Sequence, residues 1–232
     1  MEFSEFEYIL SAKRMRRYKD GCGGEARRAM ALYRYNLRLS EEMFTIVSCF
    51  EVALRNAIDR LLTPVLGDEW LRDSVFEGGA FANGRMEETR KIIERAYNRL
   101  ERKGQYSHSK LIAEMEFGVW KYMFSPQQFR ATGQCLLRVF PNRPRSSASA
   151  QYNNTFFFNE LDKVNSLRNR IAHHEPICFR RDSSEIDTSY IINEYQKIQM
   201  LFSWMGIDSH AMLYGLDHVQ SVCGKVNGMR GR

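Results

Sequence analysis

Apolar residues recur every third or fourth position through most of this 232-residue chain, and no two-residue alternation bounded by hairpin turns stands out. That period restricts the chain to an all-α fold, a helical bundle with additional helices. The pattern predicts helices over residues 3–20, broken by Gly21-Cys22-Gly23-Gly24, and over 25–39. A third runs from an N-cap at Ser40 to about Leu62, before Pro64. A looser stretch covers 67–83, and Asn83 caps a strongly charged helix to Lys103. Further helices are expected over 109–124, then to Phe140, over 151–174 up to Pro176, over 184–204 and over 208–222. Residues 141–147 read as a loop and 223–232 as a frayed tail. The whole, 1–232, reads as a single domain, with 83–140 a candidate helical insertion.

Charge narrows the partners. Lys+Arg is 34 against Asp+Glu 28, a net charge of +6, and 25 of those 34 cations are Arg. The planar guanidinium fork matches phosphate better than a lysine point charge does. No run reaches the roughly 18 apolar residues of a membrane span. The start, Met1-Glu2-Phe3-Ser4-Glu5, is not that of a signal peptide. The five cysteines form no CxxC pair, which argues against a disulfide or zinc scaffold and for a reducing, cytoplasmic setting.

Two charged residues stand where apolar ones belong. At about 100° per residue, Phe157, Leu161, Val164, Leu167 and Ile171 share a stripe about 120° wide, and Arg168 falls inside it. Such a side chain snorkels, makes a buried ion pair or lines a site. Glu51 sits on the edge of the stripe Met43, Val47, Phe50, Leu54, Ile58, Leu61. It can pair with Arg55 along its helix, or cross to Arg168 and orient it.

After Arg168 comes a dense polar cluster, Arg168-Asn169-Arg170-Ile171-Ala172-His173-His174-Glu175-Pro176. Only Glu175 accompanies the histidines, so a metal site is disfavoured. Imidazole titrates near neutrality, and guanidinium neutralises charge developing on phosphoryl oxygens. The set suits proton transfer beside a phosphate, and attack by a 2′-hydroxyl on its own phosphodiester requires no metal or other cofactor.

Arg168-Asn169-x-x-x-His173 matches the R-N-x3-H form of the motif of HEPN ribonucleases. The longer string from Leu167 to Ile177 resembles the C-terminal signature of the Abi-like (abortive infection) family, a bacterial branch of the HEPN superfamily. The segment from Phe50 through Asn56 to Ile58 is similar to that family's N-terminal helix motif, and 117–124 to its aromatic central segment. The three lie in family order within about 32–204.

The resemblance implies a HEPN-like bundle that forms a homodimer with two motifs in a composite cleft. It implies metal-independent endoribonuclease cleavage of single-stranded RNA or tRNA loops, in the service of abortive infection or toxicity in anti-phage defence. An antitoxin or a guide RNA is a candidate further partner, and a membrane is not. Arg168 would hold the scissile phosphate, His173 would be the general acid/base, Asn169 would orient the histidine or the RNA, and His174 is the alternative base. Glu51, Arg55, Asn56 and Arg170 would be supporting residues. A non-catalytic HEPN module binding RNA or a protein, and a regulatory subunit whose His-His pair binds metal, are the competing readings.

On a straight helix Arg168 and His173 point about 140° apart. They converge only if the helix end distorts before Pro176, or if each site borrows a residue from a partner subunit. Elsewhere, the charges over 85–103 alternate in sign and suit a solvated helix. The basic run 13–19, with Arg14 and Arg17, and the pair Arg143 and Arg145 are better candidates for RNA backbone contacts. Tyr18, Tyr33, Tyr35 and Tyr152 either stack bases or finish the core. His108, His210 and His218 have no recognisable partners in the sequence.

Overall fold

The computed structural model describes residues 1–82 and 84–230. Among these the chain is all-α, as its periodicity requires, with one isolated bridge between Phe179 and Ile186. The helices are α1 (Phe3–Leu10), α2 (Ala12–Gly21), α3 (Ala26–Leu66), α4 (Trp70–Asp73), α5 (Glu87–Arg102) and α6 (His108–Glu114). They continue with α7 (Phe117–Tyr122), α8 (Pro126–Ala131), α9 (Asn154–Ala172), α10 (Ser189–Trp204), α11 (Ser209–Met212) and α12 (Val219–Asn227). The cap expected at Asn83 and the end of the expected tail, Gly231-Arg232, lie outside the described residues. No described helix is long and apolar enough to cross a membrane.

Several boundaries differ from the sequence expectation, each for a packing reason. Residues 3–20 form two helices, broken at Ser11, whose φ is 76°. Phe6 and Met15 are both buried, yet on one straight helix they would point about 180° apart, so the break lets both face inward. The two helices expected over 25–39 and from Ser40 to Leu62 are one, α3. Ser40 is interior, because Leu32, Leu39, Met43, Ile46 and Val47 are all fully buried and their stripe runs on past it. Pro64 is tolerated in the last turn, which Gly67 closes at φ 97° by donating its N–H to Thr63 O at 2.9 Å.

The helix expected over 109–124 breaks between α6 and α7. Met115 and Phe117 are both buried but would diverge by about 160° on a straight helix. The helix expected from Ser184 starts at Ser189, after the bridge at Ile186. The region expected over 208–222 divides into α11 and α12. The tail is not frayed from 223: α12 runs to Asn227 and buries Cys223 and Val226.

The chain divides into two compact units. The first comprises Met1–Ser48, Ser166–Met200 and Asp208–Arg232; the second comprises Cys49–Asn165 and Leu201–Ile207. In the second, Phe50 meets Phe202 edge-on at 5.3 Å and Phe140 stacks on Phe157 at 4.2 Å. His108 does have a partner there: its Nε2 lies 2.7 Å from Asp59 Oδ1, which also accepts from Trp70 Nε1 at 2.8 Å. The charged helix α5 carries the expected i, i+4 pairs, Arg90–Glu94 and Lys91–Glu87. In the first unit His218 is likewise partnered: its Nδ1 lies 3.4 Å from Oε2 of the buried Glu42, which also accepts the His218 backbone N–H at 3.1 Å.

Candidate active site

The polar cluster sits where α9 runs out, and local chemistry explains the stop. Pro176 cannot extend the helix, and it disfavours helical backbone at Glu175. The end is a Schellman motif: His174 N–H donates to Ile171 O and Glu175 N–H to Arg170 O, both at 2.9 Å, with His174 at φ 55°. A left-handed residue other than glycine costs about 1–2 kcal/mol. Two guanidinium contacts hold it there. Arg14 Nη1 donates to His174 O at 2.8 Å, and Arg170 donates to Glu175 Oε2 at 3.2 Å and to Pro176 O at 3.1 Å. Arg170 also stands over the Tyr190 ring at 5.0 Å.

The segment that follows is pinned from α3. Asn36 Oδ1 accepts from Ile177 N–H at 2.8 Å and from Cys178 N–H at 3.2 Å, and all three residues are buried. Arg17 donates to Ser183 O at 2.7 Å and Arg180 O at 2.8 Å and lies over the Phe179 ring. Tyr18 wedges edge-on against Tyr33 and Phe179 at 5.2 and 5.1 Å. Burial pushes the Cys178 thiol up to about 12, which keeps it neutral and marks it as core rather than nucleophile.

These contacts lay α2 against the end of α9 and leave a cavity of about 360 Å³ within the first unit. Its walls include Lys13, Arg14, Arg17, Tyr18, His173 and His174. Both histidines are exposed, so their imidazoles are available to solutes. Arg168 and Asn169 are not in those walls: Arg168 is half-buried on α9, whose stripe residues from Phe157 to Ile171 are all buried, and Asn169 is exposed. His173 N–H still donates to Asn169 O at 2.9 Å, so the helical ladder holds through His173 and distorts only at His174. The divergence of about 140° between Arg168 and His173 therefore stands on the backbone.

Glu51, Arg55 and Asn56 lie on α3 within the second unit, with Asn56 exposed and Arg55 Nε buried without a hydrogen-bond partner. Arg143 locks a turn by donating to Leu137 O and Phe140 O, while Arg145 is exposed beside it. Tyr18 and Tyr33 are buried, which removes them as base-stacking platforms. Sequence reasoning missed Asn36. On the wheel of α3 it falls between Met43 and Val47, a polar residue inside an apolar stripe, the same signal that singled out Arg168. Among the described residues no three His, Cys, Asp or Glu side chains gather in a way that would hold a metal ion.

No curated protein and no solved structure matches the chain. A sequence model of the Abi-like protein family does match, over residues 1–178. That span holds α1 and α2, upstream of the motifs that carried the resemblance, and stops just past the histidine cluster; the chain belongs to the Abi-like protein family.

Proposed function

We propose that the protein is a metal-independent endoribonuclease of HEPN type, cleaving single-stranded RNA or exposed tRNA loops as an abortive-infection effector. The observation that carries this reading is the pair of exposed imidazoles, His173 and His174, on the wall of a cavity rimmed by Lys13, Arg14 and Arg17. His173 takes the proton of a ribose 2′-hydroxyl, and the 2′-oxygen attacks the adjacent phosphorus. The bond to the 5′-oxygen breaks, that oxygen takes up a proton, and the products are a 2′,3′-cyclic phosphate and a 5′-hydroxyl. Arg168 neutralises the charge that grows on the phosphoryl oxygens, and Asn169 orients the ring or the RNA. His174 is the second proton carrier.

Because α9 stays regular through His173, one subunit does not aim Arg168 and His173 at one phosphate. The proposal therefore includes a homodimer in which Arg168 of one subunit completes the site of the other. The test is incubation of purified protein with labelled RNA in excess EDTA, wild type beside His173→Ala and Arg168→Ala. The reading expects cleavage by wild type alone; equal cleavage by all three removes the assigned site, and loss of cleavage in EDTA removes the metal-free mechanism.

The absence of Arg168 from the cavity walls favours a second reading, a module that binds RNA or a protein without cleaving. Toxicity on expression that disappears in His173→Ala distinguishes the enzyme from the binder.

A further inference from the structure

Tyr18 carries a hydroxyl that nothing in the folded chain uses. The residue is 1% exposed, lines the cavity, and its Oη has no hydrogen-bond partner. A buried hydroxyl without a partner is costly, and phenylalanine would pack as well between Tyr33 and Phe179. Burial pushes the phenol well above its ordinary range, so the group remains a donor at any physiological pH. What completes it is an acceptor, and the surroundings say of which charge. Lys13, Arg14 and Arg17 share the cavity with one carboxylate, Glu175, which is already paired with Arg170. Arg14 engages one of its N–H donors on His174 O and keeps the others. The ten-residue helix α2 begins at Ala12, and its capping residue Ser11 is on the wall.

We propose that this cavity is a phosphate subsite, built by α2, that holds a phosphodiester of the RNA chain flanking the one cleaved. Lys13 and Arg14 supply charge, the Tyr18 hydroxyl donates to a phosphoryl oxygen, and the histidines stand at its mouth. The proposal rests on the nuclease reading for the identity of the ligand, while its phosphate chemistry stands on the cavity alone. It adds a recognition element from α2, more than 150 residues upstream of the histidines.

The test is binding to the full chain, by calorimetry in EDTA, of inorganic phosphate and separately of a 2′-O-methyl hexanucleotide that cannot be cleaved. Tyr18→Phe keeps both ring contacts and removes only the donor; it should weaken the hexanucleotide about tenfold. Lys13→Ala, at an exposed position, should lower the salt dependence of log K by about 0.7. The proposal fails if Tyr18→Phe binds within twofold of wild type, and if that variant does not fold, an unchanged salt slope in Lys13→Ala overturns it instead. Binding of inorganic phosphate but not of the hexanucleotide also overturns it, assigning the cavity to a free phosphate ligand. Cleavage of RNA by wild type, measured alongside, keeps the two readings apart. Cleavage with unchanged Tyr18→Phe binding removes the subsite alone; phosphodiester binding without cleavage removes the nuclease alone.

Discussion

Asn36→Ala is the substitution that tests most sharply how the histidine loop is held. Asn36 Oδ1 is the acceptor for Ile177 N–H and Cys178 N–H, and those residues are 1% and 0% exposed. In the alanine variant both donors stay buried without partners. Each unsatisfied buried group costs about 1–3 kcal/mol, so the pair costs about 2–6 kcal/mol, with water entering the gap setting the lower end. Against a typical domain stability of about 5–15 kcal/mol this is a large share. Asn36→Leu separates the hydrogen bonds from the cavity, because it refills the space and still leaves both donors orphaned. Urea unfolding should show both variants losing at least about 2 kcal/mol with an unchanged m-value. Hydrogen exchange should show the Ile177 and Cys178 amides losing protection first. A loss below about 1 kcal/mol in both variants would refute the claim that this side chain pins the segment behind the histidines.

Two further substitutions probe the same region. A Cβ on Gly21, at the end of α2, would stand 2.6 Å from Ser184 O and 3.0 Å from the Phe179 ring. Gly21→Ala should therefore cost about 1–3 kcal/mol in thermal or urea unfolding, and a neutral result would show that α2 does not dock this closely. Asp187 accepts from the Ser189 hydroxyl at 2.7 Å and the Ser189 N–H at 3.0 Å, which together with Arg230 hold its carboxyl below the usual carboxylate range. A lowered folded-state pKa means stability that is present above the ordinary value, about pH 4, and lost as pH falls through the lowered one. The stability gap between wild type and Asp187→Asn should be open at neutral pH and close in acid; a gap independent of pH contradicts the assignment.

The fold class was legible because a 3.6-residue period needs no tertiary information. The boundaries were not, because burial decided them. Ser40 has the chemistry of a cap but lies within a stripe that packs on both sides of it, and Ser11 has no glycine to announce a break that Phe6 and Met15 impose. The histidine cluster was legible as a motif, Arg168-Asn169-x-x-x-His173, and its stop at Pro176 followed from backbone sterics. The cationic wall opposite it was not, since Arg14 meets His174 across 160 residues of chain and no local pattern links them. Nor does sequence separate a guanidinium that caps carbonyls, as Arg17 and Arg143 do, from one free for phosphate.

The most direct measurement is the chemistry of the RNA ends left by wild-type protein in EDTA, read by mass spectrometry beside His173→Ala. Fragments ending in a 2′,3′-cyclic phosphate opposite a 5′-hydroxyl, present with wild type and missing with the variant, are the expected result. Fragments bearing 5′-phosphates, or the same cyclic ends produced by the variant, would contradict the role given to His173.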